Sequence, residues 1–530
     1  MSFRVLIADA MSAEGLAPLR EDERIELVQS TGLKGEALAD AIAEADAVVV
    51  RSSTTITRES LSRAQRLRVI GRAGVGVDNI DVQAATEKGI AVLNAPSGNT
   101  ISAAELAFAL LLSLVRRVPA ADHSMRAGQW DRKSFSGTEL FGKTLGLVGA
   151  GRIGSEVAKR ARAFGMRVLT FDPYLTPERA EALEMELASL NDVLTRADFV
   201  SLHVPLTDST AGMIGPAEIG MMRKGAYIVN AARGGVIDEA ALVEALRSGH
   251  LAGAALDVFE DEPLPAEHVL RTLPNVVLTP HVGAATAEAQ QNVAIEISNA
   301  VRAALINGDL TGAVNAPAIG GEEMRRLRPL LDLAERLGAL CATLSDEPVR
   351  RVELRYAGSS DEAIRPLVST ALIGVLSNVV GRGGVNFVNA IHLAETRGIT
   401  VERARTGPVR DYGEYIELRL SGTGSECLVA GALLAEHHPR IVRINDFHVD
   451  LHPRGTLIII RNHDVPGVIG RVGTVLGDAA INIAEYHQAR LQAGGAALAA
   501  VSVDGRIPAD LLDRLRAVPD VFDVRQVELD

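Results

Sequence analysis

Residues 144–160 read TLGLVGAGRIGSEVAKR, an apolar strand-like run, then Gly149, Gly151 and Gly154 spaced G-x-G-x-x-G, then a helical pattern. No other stretch restricts the fold as strongly. In such a junction the first glycine permits the turn, the second lets backbone approach a pyrophosphate, and the third packs helix on strand. The next strand-like run, RVLTFDP, carries Asp172 at its end. A carboxylate there accepts from a ribose 2′-hydroxyl and repels a 2′-phosphate, so NAD is favoured over NADP. A glycine-rich turn with no ligand would have no use for the acidic strand end.

The junction sits in a longer alternation. RVLIADA, IELVQS, AVVVRSS, LRVIGRAG and IAVLNAP precede it, and FVSLHVP, AYIVNAARG, GAALDVF and NVVLTPHVG follow, with helical patterns between them. Strands interleaved with helices predict parallel sheets with crossovers, here two doubly wound α/β units. The apolar run LAFALLLSLV between them is too short to span a bilayer and reads as a buried helix. GRAGVGVDN has Gly74 and Gly76 but no third glycine, so it reads as backbone lining a substrate site.

The helical pattern at 286–307 has no sheet of its own and is expected to return to the first unit. The expected organisation is a discontinuous substrate domain (1–98 and 286–317), an NAD-binding domain (99–285), and a cleft between them. After the linker LTGAVNAPAIGG, residues 318–454 mix helices and strands as an α+β domain without a catalytic motif. Residues 455–530 read strand, helix, strand, strand, helix, strand, which is a ferredoxin-like order.

Composition narrows the partners. A net charge of −13 with no basic block argues against nucleic acid. Two cysteines, Cys341 and Cys427, exclude a disulfide framework, stand in no metal-ligand spacing, and suit buried thiols in a reducing cytoplasm. MSFRVLIADA enters a strand directly, with no secretion signal and no membrane segment.

Three later strand ends carry polar residues: Arg233 in NAARGGVID, Glu262 in LDVFEDEP and His281 in LTPHVGAAT. Oxidising a secondary alcohol requires a base near neutrality, which histidine supplies, and a carboxylate to fix its tautomer. A guanidinium holds a substrate carboxylate and polarises the adjacent carbonyl. Singly, Arg233 reads equally as an ion pair, Glu262 as loop solvation and His281 as a strand-end cap; together they point to chemistry. At the mouth of the first unit, Arg51, Ser52 and Arg72 suit a phosphate, and the backbone of Val75 and Gly76 a carboxylate.

Near the C-terminus, NHDVPGVIGRVG places Asn462 and Asp464 before a Pro466–Gly467 corner and a helix. Acceptors beside free helix N–H groups suit a zwitterion, with Asn482 on the following strand as a further contact; ordinary capping of the helix by Asp464 is the alternative.

GRAGVGVDNID, GLVGAGRIG, NAARGGVIDE, GAALDVFEDEP and PHVGAAT resemble the D-2-hydroxyacid dehydrogenase family over residues 1–317. The residues beyond Pro317 resemble the intervening and ACT domains of its long form. The resemblance implies that Arg233, Glu262 and His281 are catalytic. It adds Val75, Arg152, Ile153, Val204, Ala231, Asp257 and Gly283 to the NAD site, and implies that Arg132 in QWDRKSF reaches the site from a neighbouring subunit. It further implies oxidation of 3-phosphoglycerate to 3-phosphohydroxypyruvate, the entry to serine synthesis, in a dimeric or tetrameric homo-oligomer. L-Serine is then the expected inhibitor, bound at Asn462, Asp464 and Asn482 between paired ACT domains. His448, His452 and Arg454 read either as an anion site, by the same resemblance, or as a solvated loop. A glyoxylate or hydroxypyruvate reductase and a nucleotide-sensing corepressor share the N-terminal motifs, but simple reductases and such corepressors lack the region beyond Pro317.

Overall fold

A computed structural model describes residues 2–529 except 361, 382, 410, 411, 436 and 437. Its first sheet has five parallel strands in the order Ile25–Gln29, Phe3–Ile7, Ala47–Val50, Val69–Arg72, Ala91–Asn94. The strand AVVV is wholly buried, as a parallel strand covered on both faces must be. One covering is the helix Ala287–Asn307, whose Val293, Ile297 and Val301 pack on Ile7, Val49 and Leu93. Gly71 allows the helix to lie this close, because a Cβ there would stand 2.6 Å from Val301 Cγ2.

The second sheet has seven parallel strands: Val276–Leu278, Leu251–Leu256, Ala226–Asn230, Phe199–Leu202, Thr144–Val148, Arg167–Phe171, Glu186–Leu187. The chain winds outward in both directions from the junction of Thr144–Val148 and Phe199–Leu202. Doubly wound sheets place a ligand outside the strand C-termini at this reversal. Helix Thr100–Val115 covers one face through Phe108, Leu111 and Leu114. Both sheets are doubly wound, as the alternating pattern predicts.

The third sheet is mixed. Thr400–Arg405 runs parallel to Arg351–Ala357; Glu414–Ser421, Glu426–Leu434, His438–Ile444 and Phe447–Leu451 continue antiparallel. Helices Gly321–Leu344 and Ile364–Val380 pack on it. The fourth is antiparallel, ordered Ile483–Arg490, Ala496–Val503, Thr456–His463, Val521–Glu528, with helices Val468–Asp478 and Ala509–Arg516 on one face, the ferredoxin-like arrangement. Its other face is covered too: Leu457, Ile459, Leu498 and Val527 share one core with Leu333, Leu337 and Leu340 of the long helix. The hydrogen-bonded pair His452–Glu485 (2.9 Å) and the ion pair Arg525–Asp346 (2.5 Å) border that core. Among the described residues no helix is long and apolar enough to cross a membrane.

Candidate active site

Between the first two units lies a cleft of about 1070 Å³, at the upper end of the range for small-molecule sites. The glycine turn forms its floor. Gly149 has φ 95°, and a Cβ on it would stand 2.5 Å from the His203 carbonyl oxygen. A Cβ on Gly154 would stand 2.1 Å from the Gly149 carbonyl oxygen, so these two glycines are demanded by the protein's own packing. Gly151 differs. A Cβ there would meet nothing within 4 Å, and the residue precedes helix Arg152–Ala163. Open space over a helix N-terminus is where a pyrophosphate sits. Asp172 is held at its strand end by the N–H groups of Ala150 and Tyr174, both at 2.8 Å. These residues fit a dinucleotide. Val75, Arg152, Ile153, Val204, Ala231, Asp257 and Gly283 line the same cleft.

Asp257 does more than line it. Buried at 1% exposure, its carboxylate accepts from Thr279 Oγ1 (2.6 Å), Val282 N–H (2.9 Å) and Gly283 N–H (3.0 Å). Its carbonyl accepts from His281 N–H at 2.8 Å. His281 is left-handed, φ 52°, a conformation uncommon for a non-glycine residue, and these bonds hold it there. On the neighbouring strand the buried Asn230 accepts from Ala232 N–H (3.0 Å) and donates to the Arg233 carbonyl (2.9 Å). Asp257 N–H donates to the Asn230 carbonyl at 2.9 Å. Two adjacent buried polar residues thus bracket the loops that carry Arg233 and His281.

His281 Nδ1 stands 2.7 Å from Glu262 Oε2, and Glu262 Oε1 accepts from Phe259 N–H at 3.1 Å. The carboxylate accepts only, so the imidazole proton belongs on Nδ1 and Nε2 is left as acceptor. In the same cleft, Arg233 lies 3.4 Å from Asp78 and against the Gly76 backbone, where a Cβ would meet its Nη2 at 2.2 Å. Arg72 is the second guanidinium here. Its Nε is buried without a partner among the described residues, and Nη1 reaches only the Ala73 carbonyl, at 3.2 Å. Burial, and after it the Arg233 charge, push the Arg72 pKa down. Arg51 and Ser52 complete this wall.

Sequence reasoning passes over Asn230, Asp78 and His203. Asn230 shows in the sequence only as a polar residue closing the apolar run AYIVN. His203, at the cleft wall, has its pKa pushed down to about 4 by burial and bonds Ser201 Oγ at 2.9 Å. Its position at the end of FVSLHVP, beside the sheet's reversal, is the signal that could have found it. Arg132 lies exposed in the segment before strand Thr144–Val148 and does not line this chain's cleft.

At the C-terminal corner, Asp464 does not cap the helix: its Oδ2 accepts from Arg490 Nη1 (3.1 Å) and Gly494 N–H (3.3 Å), with its pKa lowered chiefly by Arg490. Asn462 is buried and donates to the His463 carbonyl at 2.7 Å. Asn482 does not join them. It bonds Asp504 at 3.0 Å, beside the Ile483↔Val503 pair, whereas His463 pairs with Ala496 at the other end of the sheet. Strand rise separates the two ends by about 20 Å within one chain. His452 is engaged by Glu485, while His448 and Arg454 are exposed.

A doubly wound sheet with this glycine turn and a His–Glu pair sharing its cleft with an arginine defines an NAD-dependent dehydrogenase. Residues 108–283 match the D-isomer specific 2-hydroxyacid dehydrogenase NAD-binding domain, 326–445 the D-3-phosphoglycerate dehydrogenase intervening domain, and 456–520 the ACT domain. The chain is 42% identical to a D-3-phosphoglycerate dehydrogenase of Bacillus subtilis, and 42% to one of Methanocaldococcus jannaschii, each over 99% of this chain and 100% of the relative. The D-lactate dehydrogenase of Aquifex aeolicus, solved with NAD and lactic acid, is 30% identical with a TM-score of 0.52, over 59% of this chain and 100% of that one. The chain belongs to the D-3-phosphoglycerate dehydrogenase family.

Proposed function

We propose that this enzyme oxidises 3-phospho-D-glycerate to 3-phosphohydroxypyruvate with NAD, at the entry to serine synthesis, and that L-serine restrains it. The observation that carries the substrate reading is the pair Arg72 and Arg233 in one cleft wall, with Arg72 Nε buried and unpartnered among the described residues. Two half-buried guanidiniums in one wall, one with a buried unpaired N–H, call for an anionic ligand, and Arg51 beside them enlarges the demand to more than a single carboxylate. The names of the full-length relatives support the same substrate.

In this reading Arg233 binds the substrate carboxylate and orients C2. His281 Nε2 takes the hydroxyl proton, and Glu262 stabilises the imidazolium through Nδ1–H. NAD, held at Gly151 and the start of helix Arg152–Ala163, would supply the hydride acceptor for C2. In reduction the same imidazolium returns its proton to the new alkoxide. Arg72, Arg51 and Ser52 hold the phosphate, and His203, uncharged at neutral pH, adds no competing cation to the cofactor side.

The test compares reduction of 3-phosphohydroxypyruvate with reduction of glyoxylate. Glyoxylate has no phosphate to accept charge-assisted hydrogen bonds from Arg72 and Arg51. An advantage in kcat/KM of about 10²-fold is therefore expected for the phosphorylated acid. Equal efficiencies would assign a glyoxylate or hydroxypyruvate reductase instead.

Serine is read at Asp464, whose carboxylate and neighbouring helix N-terminus suit an amino acid's ammonium and carboxylate. The separation of Asn482 from Asp464 means that a ligand touching both sits between sheets of two chains. Val465, Ile469 and Leu491 are exposed around the corner, which favours a covered corner in the assembly. On the NAD-binding unit, Trp130 and Phe141 are each 78% exposed, which favours a second copy there, bringing Arg132 with it. The buried thiols Cys341 and Cys427 suit the cytoplasm. In a serine titration, inhibition is expected with a coupling of about 1–3 kcal/mol, reduced in Asp464→Ala. Inhibition unchanged in that variant would move the site elsewhere, and a wild type indifferent to serine would remove the regulatory reading.

A further inference from the structure

Beneath the cleft wall formed by Arg51 and Ser52 lies a clamp built from two side chains that face away from the ligand space. Asp9, two residues beyond strand Phe3–Ile7, is 5% exposed. Its Oδ2 accepts from the N–H groups of Arg51 (2.5 Å) and Thr54 (3.3 Å), and its Oδ1 from Thr54 Oγ1 (2.8 Å). Asn79 answers from the other side: its Nδ2 donates to the carbonyls of Arg51 (2.7 Å) and Thr54 (2.6 Å). One carboxylate therefore collects both end N–H groups of the turn Arg51–Thr54, and one amide collects both end carbonyls.

The middle of the turn is left free. Ser52 and Ser53 are exposed, and among the described residues their N–H groups have no acceptor. Arg51 Nη1 bonds the Ala10 carbonyl at 3.2 Å, so the segment that follows Asp9 is tied to the same wall; Ala10, Met11 and Ser12 line the cleft with Arg51 and Ser52. A buried carboxylate beneath an anion-binding wall is electrostatically adverse for the anion, which makes its retention informative. Its hydrogen bonds give the compensation: a turn pinned at four backbone groups cannot re-aim its N–H groups or its guanidinium, so the ordering entropy does not fall due when the ligand binds. The Asp9 charge also favours the protonated form of Arg72.

We propose that Asp9 and Asn79 are positioning residues that set selectivity for the phosphorylated substrate by fixing the Arg51–Ser52 turn as a preformed phosphate seat. The proposal rests on the substrate reading above and deepens it. Neither residue touches the substrate; both act through Arg51, Ser52 and the free N–H groups between them.

The experiment measures KM and kcat for 3-phosphohydroxypyruvate and for hydroxypyruvate, the same keto acid without its phosphate, in wild type, Asp9→Ala and Asn79→Ala. Asp9→Ala removes the acceptor of both end N–H groups of the turn; Asn79→Ala releases the carbonyls. Each variant is expected to raise KM for the phosphorylated acid by about tenfold or more, with kcat and both hydroxypyruvate parameters near wild type. A wild type without preference for the phosphorylated acid overturns the substrate reading and the clamp with it. A preference that survives both variants overturns the clamp alone, as does a parallel loss on both substrates, which marks a purely structural role. Should Asp9→Ala not fold, Asn79→Ala decides by the same ratio.

Discussion

Replacing His281 by Asn lowers turnover by about 10²–10⁴-fold, the usual contribution of a positioned acid–base group, and leaves NADH affinity near wild type. The two halves of that expectation come from different parts of the cleft. His281 Nδ1 is engaged by Glu262 at 2.7 Å, so Nε2 is the basic atom, and Asn retains a side chain of similar reach without a titratable nitrogen. The backbone at Gly151 and helix Arg152–Ala163, where the pyrophosphate is proposed to sit, is untouched by the substitution. Single-turnover reduction and NADH fluorescence titration separate the two. A variant turning over at the wild-type rate would remove His281 from the chemistry.

The second large effect is expected at Asp257, which reaches the chemistry only through the backbone it holds. In Asp257→Asn, three donors from Thr279, Val282 and Gly283 face an amide that can accept fewer of them and brings donors of its own. The loop holding His281 at φ 52° is then free to relax. A misplacement of about 1 Å costs on the order of 10²-fold, and kcat is expected to fall by that much. Thr279→Val, which removes one of the three bonds, is expected to fall less. If Asp257→Asn raised only the KM for NADH and kept kcat, Asp257 would be a cofactor contact and the bracket would carry no weight.

Asp257 also shows how unevenly the site is legible. Resemblance alone assigns it to the cofactor group, and it does line the cleft, but its three internal hydrogen bonds are set by loops more than twenty residues away in the chain. Asn230 and Asp9 are silent for the same reason: a polar residue after an apolar strand is compatible with any strand end; Asn79 lies in a loop, where a polar residue is equally unremarkable. The helix at 286–307 is legible because its amphipathic pattern has no neighbouring strand to bury against. In the third sheet, Thr400–Arg405 and His438–Ile444 go unread, since TVERAR and HPRIVRI are rich in charge and break the apolar alternation that marks a strand.

What the sequence determined by itself is local. Gly154 admits no side chain because the carbonyl of Gly149, in its own turn, lies against it, whereas Gly149 is constrained by the His203 carbonyl brought in by strand Phe199–Leu202. The strand–turn–helix unit and the order of the polar strand ends follow from chemistry within a few residues. Tertiary structure decided the rest, because it depends on register and docking. The run TLIII is apolar on every residue from Leu457 on because Leu457 and Ile459 close onto the helix Gly321–Leu344 while Ile458 and Ile460 face the sheet's own helices. That docking joins the C-terminal sheet to the third one as a single core. The register of Ile483–Arg490 against Ala496–Val503 then carries Asn482 to the end opposite Asp464. No spacing in the sequence distinguishes the two ends of a strand pair; only the pairing does, and it sets Asn482 and Asp464 at opposite ends of one sheet.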